Sequence, residues 1–303
     1  MNLHHLAIFH TVAQTGSISA CAARMHISQP AISRQLKEFE QRIGVVLFER
    51  LPRGMRLTQP GEVLRDYAAR LFEIARTAEA AVRELSDARL GHLSIGASNT
   101  VGTYILPSLL ARFRRSHPSI GVSMFVGNTE QVSQGVHDLR FMLGFIEGPL
   151  HVPDLRADRF IEDEIVPVAA PDQPLSGKKR LVPGDLSGQP LLMREPGSGT
   201  RELVERRLQR HGIRPGYVVE FGNTEAIKQA AIHGGGVAWL PRVCMPRELA
   251  AGELVRLPVK SLAIRRPLNV IRRPEGYTSP AAEAFLAVLD VHRSAFGPQE
   301  LPR

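Results

Sequence analysis

Two short hydroxyl-rich segments carry side chains suited to binding a small polar molecule. They are Ser98, Asn99 and Thr100 after a strand-like stretch, and Ser198, Gly199 and Thr200 within the segment REPGSGTR. Each segment is expected to turn from a strand into a helix, where hydroxyls and exposed N–H groups bind anions. These residue types are also ordinary helix N-caps, and for any one of them capping is the commoner role.

No catalytic motif is built around these segments. Ser198 lacks the Gly-x-Ser-x-Gly spacing because residue 196 is Pro, and no paired His and acid is assigned to it. The stretch GASNTVG is neither a dinucleotide-binding fingerprint nor a P-loop, and the eleven His residues show no metal-ligand spacing. We therefore expect no enzyme, no metal and no cofactor, and keep His233 as a candidate ligand contact at the edge of a cleft.

Composition limits the class of protein. A chain of 303 residues with 43% hydrophobic content is long enough for two or three packed units. The two cysteines, Cys21 and Cys244, fall in different predicted domains, which indicates core thiols in a reducing compartment. Because neither a signal peptide nor a membrane span is recognisable, we expect a cytoplasmic protein without membrane contact.

Positive charge is concentrated at the N-terminus. Residues 1–57 contain seven Lys or Arg and three Asp or Glu, a net charge of +4, and the other 246 residues share the remaining +4 of the total +8. The charge per residue is therefore several-fold higher in the first segment. A surface for nucleic acid is expected there.

Apolar spacing predicts three helices in that segment. The first covers residues 2–15, the second covers 18–25, and the third begins after Ser28 and ends at Gly44. Only two residues join the second and third helices, and the second is rich in small side chains that permit close helix crossing. This combination is typical of a helix-turn-helix.

The third helix has two contrasting faces. One stripe must face the other helices, and it consists of Ile32, Leu36, Phe39 and Ile43. The opposite face carries Pro30, Ser33, Arg34 and Lys37, with Ser28 and Gln29 at its start. Such polar and cationic groups suit the major groove, although any surface helix has a polar outer face.

A short basic hairpin is predicted after the third helix. Arg50, Arg53 and Arg56 surround the turn residues Pro52 and Gly54. Beside a recognition helix, such a hairpin would be a wing that follows the DNA backbone or enters the minor groove.

The N-terminal 60 residues resemble the LysR-type transcriptional regulators. The resemblance is carried by GSISACAARMHISQPAISRQLKEFEQRIGVVLFER followed by RGMRLTQPG. It implies that Gln29, Pro30, Ser33 and Arg34 approach bases and that Arg53 lies in the wing. The segment REPGSGTR is similar to the subgroup that includes regulators of sulfur assimilation and carbon-fixation operons.

A long helix is predicted between the two ends of the chain, starting after the N-cap Thr58. Its apolar residues are spaced 3 and 4 apart in alternation, and they are Leu64, Tyr67, Leu71, Ile74, Ala78, Ala81 and Leu85. This seam either packs on its own domain or pairs with a second copy, and we expect pairing. The resemblance implies a dimer through this helix and a homotetramer built from two dimers.

Residues after Gly91 alternate between strand-like and helix-like patterns, which predicts a mostly parallel sheet. Two α/β lobes with a cleft between them are expected, and the resemblance implies the fold of periplasmic binding proteins. The turns Ser98–Thr100 and Ser198–Thr200 are expected to face each other there, joined by Thr129. An acid is common in the family at the place of Met142, so contacts of the cleft are expected to differ there.

The predicted fold class is an N-terminal all-α winged helix-turn-helix, a long linker helix and a C-terminal α/β two-lobed effector domain. Its predicted bounds are 1–58 for the DNA-binding domain, 59–90 for the linker and dimerisation helix, and 91–303 for the effector domain. Lobe I is predicted at about 91–162 and 268–303, and lobe II at about 163–267.

The predicted function is sequence-specific regulation of transcription, controlled by a small anionic effector in the cleft. The predicted partners are promoter DNA, the effector and further copies of the chain, with RNA polymerase as a candidate. The alternative is a solute-binding or enzymatic α/β protein with an incidental basic N-terminal domain.

Overall fold

The chain folds into two units, Met1–Ala80 and Ala81–Arg303, each with its own buried apolar residues. The computed structural model describes residues 2–51, 54–86, 91–274 and 278–292. In the first unit the elements are helices α1 (Leu3–Thr15), α2 (Ile18–Met25), α3 (Gln29–Ile43) and α4 (Gln59–Ser86), and strands β1 (Phe48–Arg50) and β2 (Met55–Leu57). Helix α4 runs on into the second unit, and residues 87–90 of the predicted linker lie outside the described part.

The predicted helix ends of the first unit are confirmed, except that the Ser28 side chain makes no capping hydrogen bond to α3. Gly16 and Gly44 end α1 and α3 in the left-handed conformation, with φ of 64° and 86°. The Ser17 hydroxyl accepts a hydrogen bond from the Ala20 N–H, and the Thr58 hydroxyl accepts one from the Gly61 N–H. The sequence pattern thus sets both the start and the stop of these helices.

The core of the first unit is formed by the predicted stripe of α3, with one exception. Ile32, Leu36 and Phe39 are 0%, 3% and 1% exposed, whereas Ile43 is 40% exposed. Ile43 belongs to the last turn of α3, and it is not among the residues of this core. Its predicted burial was therefore wrong.

The described residues of the predicted apolar seam of helix α4 differ in their exposure. Leu64 and Leu71 pack against the core of the first unit, whereas Tyr67 and Ile74 are 66% and 49% exposed. Leu64 and Leu71 thus pack within the first unit, whereas Tyr67 and Ile74 are exposed in the single chain. Packing on its own domain is observed for Leu64 and Leu71, and pairing with a second copy stays a prediction. The side chains of Ala81 and Leu85, which complete the predicted seam, lie outside the described residues.

The second unit contains one mixed sheet. Its strands are β3 (His92–Ser98), β4 (Gly121–Gly127), β5 (Leu143–Glu147), β6 (Arg156–Ala169), β7 (Pro190–Arg194), β8 (Tyr217–Phe221), β9 (Val237–Pro241), β10 (Val255–Arg256) and β11 (Ile264–Arg272). Their order is β4-β3-β5-β11-β6-β9-β7-β8, with β10 paired to β6. The helices are α5 (Asn99–Tyr104), α6 (Leu106–Ser116), α7 (Thr129–His137), α8 (Gly199–Arg210), α9 (Thr224–Ile232), α10 (Pro246–Ala251) and α11 (Pro280–His292).

The sheet is less parallel than predicted. The strands pair in parallel on both sides of β3 and of β7, but β11 is antiparallel to β5 and β6, and β6 is antiparallel to β9. The long strand β6 and the returning strand β11 enter both lobes, so they cross between two parallel halves. Each of these two strands runs antiparallel to its neighbours, so the centre of the sheet is antiparallel.

A large hydrophobic core lies on either side of this centre, and a smaller cluster of buried residues accompanies each of them. One draws on β3, β5, α6 and α11, which agrees with the expected return of the last strand and helix to the first lobe. The other draws on β7, β9 and α8. Both cores contain residues of β6 and β11, which link them.

Candidate functional site

The outer face of α3 carries the polar side chains predicted to contact DNA. Ser28, Gln29, Pro30, Arg34 and Lys37 are exposed, and Ser33 is half-buried. The Ser28 side chain makes no capping hydrogen bond to the helix that follows it. Arg34 lies 3.9 Å from Glu38, and both are exposed, so solvent screens this ion pair. These side chains can therefore turn towards a partner at little energetic cost.

The predicted wing is present as the hairpin β1–β2. Arg50 is exposed at the end of β1, whereas Arg53 lies outside the described residues. A Cβ atom on Gly54, whose φ is 94°, would lie 2.6 Å from the Gly16 carbonyl oxygen, and the Met55 N–H donates to that same oxygen at 2.8 Å. The hairpin is thus fixed to the end of α1.

In the second unit, the predicted effector residues surround a buried carboxylate. Glu147 ends β5 and is 1% exposed. Ser98 Oγ donates to Glu147 Oε2 at 2.8 Å, and Thr100 Oγ1 donates to Oε1 at 2.9 Å. Thr200 Oγ1, from the opposite lobe, lies 3.4 Å from the same Oε1. Hydroxyls from both lobes therefore converge on one anionic group.

Thr129 and Gly199 connect the backbone at the end of β5 to the start of α8 beside this carboxylate. Thr129 Oγ1 donates to the Glu147 carbonyl oxygen at 2.8 Å and accepts from the Gly199 N–H at 3.3 Å. A Cβ atom on Gly199 would lie 1.9 Å from the Glu147 carbonyl oxygen. Only glycine lets the start of α8 approach the end of β5 this closely.

A buried ion pair supports the same group of hydroxyls. Arg266 is 2% exposed, and its Nη1 donates to Thr200 Oγ1 at 2.7 Å. Its Nη2 and Nε donate to Asp163 Oδ2 at 2.8 and 3.0 Å. Burial raises the pKa of Asp163, Arg266 opposes this, and the nearby Glu147 carboxylate adds to it. We call Ser98, Thr100, Thr129, Glu147, Asp163, Gly199, Thr200 and Arg266 the Glu147 cluster.

Two predicted residues have local roles beside the cluster. The Ser198 hydroxyl accepts from the Arg201 N–H at 3.4 Å and caps α8, while its own N–H donates to the Glu195 carbonyl oxygen. The Asn99 amide donates to the Gly127 carbonyl oxygen at 3.0 Å. Ser98, in contrast, makes no capping hydrogen bond and donates to Glu147 instead.

Two other residues named from the sequence lie away from the cluster. His233 is exposed and follows α9, at the opposite end from Thr224, whose hydroxyl accepts from the buried Arg194. Met142 precedes β5 and packs against the lobe I core, with the Ser279 hydroxyl donating to its Sδ at 3.1 Å. Met142 thus belongs to the packing of lobe I, and its effect on contacts in the cleft stays a prediction.

Glu147, Asp163 and Arg266 were missed by the reading of the sequence. A signal existed for Glu147, because it is an acid that ends an otherwise apolar strand. Arg266 alternates with Ile264 and Leu268, so period two places it on their buried face. Asp163 lies opposite Arg266 in the antiparallel pairing, which only the fold reveals.

A winged helix-turn-helix followed by a two-lobed domain with a polar site between its lobes defines a DNA-binding protein that responds to a small molecule. Known proteins agree with this class. Residues 3–62 match the model of the bacterial regulatory helix-turn-helix protein, lysR family, and residues 86–293 match the LysR substrate binding domain. The chain belongs to the LysR family of transcriptional regulators.

Individual relatives cover nearly the whole chain. The regulator YeiE of Escherichia coli K12 is 36% identical over 290 residues, 96% of this chain and 97% of its own length. CbbR of Rhodospirillum rubrum is 36% identical over 288 residues, 95% of either chain. The regulatory domain of Synechocystis PCC6803 CcmR, solved in complex with 2-PG, is 31% identical with a TM-score of 0.64 and covers 69% of this chain and 100% of its own.

The function follows from this membership. The chain is a DNA-binding transcriptional regulator with an effector-binding domain, and its family is one of regulators and not of enzymes. The resemblance to regulators of carbon-fixation and sulfur-assimilation operons is confirmed. Among the described helices, none combines the length and the apolar character needed to span a membrane.

Proposed function

We propose that the regulator reads promoter DNA with the outer face of α3. Ser28, Gln29, Pro30 and Ser33 meet base edges at the helix start, and Arg34 and Lys37 reach bases and phosphates further along. Arg50 and Arg53 follow the backbone from the wing. The exposure of the α3 side chains and the weak pairing of Arg34 support this role.

Gel-shift titrations with promoter DNA test this surface. We expect Arg34→Ala and Ser33→Ala each to lose about 1 to 3 kcal/mol of discrimination against competitor DNA. The matched control is Arg42→Ala, because Arg42 is an exposed cation in the last turn of the same helix. Equal affinities and equal competitor ratios for all four proteins would remove α3 from the interface.

The effector is a small anion, such as an inorganic oxyanion, a short carboxylate or a phosphate ester. It binds between the turns Ser98–Thr100 and Ser198–Thr200, with Thr129 completing the shell. The observation that carries this proposal is the convergence of hydroxyls from both lobes, with Arg266, on the Glu147 carboxylate. Because each hydroxyl carries one proton, an anion bound here would accept these donors in place of the Glu147 carboxylate.

Thr100→Val tests the effector site, because valine keeps the shape of the side chain and removes its hydroxyl. We expect anions that stabilise the wild-type protein in a thermal-shift screen to bind this variant about 10- to 100-fold more weakly in calorimetry. The control is Thr103→Val, since Thr103 is exposed on the same helix. Equal weakening in both variants, or in neither, contradicts the site.

The regulator assembles through α4 into dimers that pair as a homotetramer. An exposed apolar stripe of α4, formed by Val63, Tyr67 and Ile74, supports pairing with a second copy. We expect Tyr67→Lys with Ile74→Lys to lower the mass in light scattering and to weaken DNA binding. Val182→Lys, at an equally exposed position, is the control. A monomeric wild type at micromolar concentration contradicts the assembly.

The place of action is the cytoplasm, where promoter DNA and RNA polymerase are available. RNA polymerase is the candidate further partner of the DNA-bound regulator. Footprinting of a promoter with polymerase, with and without the regulator, tests this contact. Independent footprints that never influence each other contradict it.

A further inference from the structure

Helix α5 carries side chains into both lobes. Val101 and Ile105 belong to the hydrophobic core of lobe I, whereas Tyr104 packs against the smaller cluster of lobe II, which includes residues of β6, β7, β9 and α9. Lobe II places a side chain in the opposite direction, because Val243, just after β9, packs against the core of lobe I. Tyr104 is thus part of a reciprocal contact between the lobes.

The hydroxyl of Tyr104 makes a hydrogen bond from one lobe to the other. It donates to Glu225 Oε2 at the start of α9. Burial and the hydrogen bond to Glu225 raise the pKa of Tyr104, so the phenol keeps its proton and stays a donor. Removal of this one oxygen atom would break the hydrogen bond and leave the packing of the ring in place.

Lys228 fixes the acceptor of this hydrogen bond. It is 5% exposed, and its Nζ lies 3.0 Å from Glu225 Oε2 and 2.6 Å from Glu248 Oε1. It also donates to the Cys244 carbonyl oxygen at 3.0 Å, so three acceptors use the three protons of the ammonium group. Glu225 is therefore held in position for the phenol. We call Tyr104, Glu225, Lys228 and Glu248 the Tyr104 latch.

Both partners of the inter-lobe hydrogen bond lie close to the predicted effector turns. Thr100 is one helical turn before Tyr104, on the same side of α5. On the other lobe, Thr224 precedes Glu225 and accepts a hydrogen bond from Arg194, the last residue of β7. A movement of one lobe relative to the other at these turns therefore changes the distance between the phenol and its acceptor.

We infer that the Tyr104 latch holds the two lobes of the effector domain together before an effector binds, with Tyr104 and Glu225 as its positioning residues. The latch lowers the population of arrangements in which the lobes are separated. An effector that contacts both lobes binds the joined arrangement, so its apparent affinity falls when that arrangement is less populated. The latch thereby sets how readily the regulator responds, whatever the charge of the effector.

The thiol of Cys244 can report on the latch. Cys244 is 2% exposed and belongs to the lobe II cluster against which Tyr104 packs. Cys21, the other cysteine of the chain, is buried in the first unit and serves as an internal control. A buried thiol reacts with N-ethylmaleimide only when its surroundings open, so its rate of modification measures the frequency of opening. The full chain is incubated with this reagent without effector, and mass spectrometry follows each cysteine.

Tyr104→Phe removes the hydroxyl and keeps the ring. We expect the rate of modification at Cys244 to rise about tenfold, the effect of one lost hydrogen bond, and the rate at Cys21 to stay unchanged. Tyr217→Phe is the matched control, because Tyr217 is a tyrosine of lobe II that is 58% exposed. Both of its rates should equal those of the wild type.

Glu225→Gln tests whether Glu225 is the acceptor that matters. A neutral amide oxygen accepts the phenol proton more weakly than a carboxylate does. Tyr104→Phe should therefore accelerate the modification of Cys244 much less in the Glu225→Gln background than in the wild type. An equal acceleration in both backgrounds overturns the pairing of Tyr104 with Glu225.

Urea separates opening of the latch from unfolding of the second unit. Opening exposes little surface, so the faster modification of Tyr104→Phe should depend only weakly on urea, whereas modification through unfolding rises steeply with urea. A steep dependence shows general destabilisation and overturns the latch. An unchanged rate at Cys244, or an equal acceleration at Cys21, overturns it as well. These measurements contain no effector, so their outcome does not depend on the anion site proposed above.

Discussion

The outer face of α3 and the Glu147 cluster place polar side chains in opposite environments. On α3 Gln29, Arg34 and Lys37 are exposed, Ser33 is half-buried, and Arg34 lies as far as 3.9 Å from Glu38. Water can therefore satisfy most of the hydrogen bonds of this face. In the cluster they are buried, and protein groups satisfy them. The first surface can therefore change with little effect on stability, whereas removal of one group from the second leaves others buried without a partner.

The largest expected effect tests the buried side of this comparison. Arg266→Ala leaves the Asp163 carboxylate buried without its cation, and we expect a loss of about 3 to 5 kcal/mol in the free energy of unfolding. Urea denaturation measures this loss. The control is Arg265→Ala, whose side chain is 84% exposed on the same strand, with a loss of about 0.5 kcal/mol or less. Similar losses for both variants would show that burial of the ion pair does not determine the loss of stability.

The second prediction concerns the two faces of α3. Leu36→Ala removes a side chain that is 3% exposed, so we expect a loss of about 2 to 5 kcal/mol in the free energy of unfolding. Ile43→Ala, in the same helix and 40% exposed, should cost about 1 kcal/mol or less. Chemical denaturation followed by circular dichroism checks both values. Equal losses for the two variants would contradict the placement of Ile43 outside the core.

The third prediction concerns the close approach of the lobes. Gly199→Ala places a methyl group against the Glu147 carbonyl oxygen, so we expect a loss of about 1 to 3 kcal/mol and weaker anion binding. Thermal unfolding and calorimetry measure the two effects. Gly177→Ala is the control, because a Cβ atom there meets no atom within 4 Å. An unchanged Gly199→Ala protein would show that the lobes need not be this close.

The smallest effect concerns His10 in the first unit. Burial and the charge of Arg24 lower the pKa of His10, so the folded state disfavours its protonated form. The stabilisation is complete above the ordinary value of about 6.5 and is lost as the pH falls below it. Denaturant melts of the wild type and His10→Asn should diverge in their pH dependence. Parallel curves for the two proteins contradict the prediction.

Local sequence patterns were sufficient for the first unit and insufficient for the cluster. The bounds of α1 to α3 follow from apolar spacing, Gly16 and Gly44, and all of these act within a few residues. The exposure of Ile43 could not be predicted, because it depends on where the neighbouring helices end. The hydroxyls at 98–100 and 198–200 were recognisable as strand-to-helix turns, since such turns have a local signature.

The carboxylate and the ion pair between those turns could be predicted only with the order of the strands in the sheet. Glu147 and Arg266 are 119 residues apart by number and meet through the pairing of β5 with β11, which no local pattern encodes. The division of α4 has a similar cause, since Leu64 and Leu71 pack where the core of the first unit lies beside the helix. Long-range contacts therefore decide which of several equally apolar or polar residues perform a role.

The insertion of β11 between β5 and β6 also sets the order in which the second unit can fold during synthesis. The core of lobe II is built from residues 165–264, which leave the ribosome as one continuous stretch. The core of lobe I begins with Leu93 but also needs Leu268, Phe285 and their neighbours. Until those residues are made, β5 keeps an open edge that can pair with other chains. The part of the second unit that is translated first is thus the last to become complete.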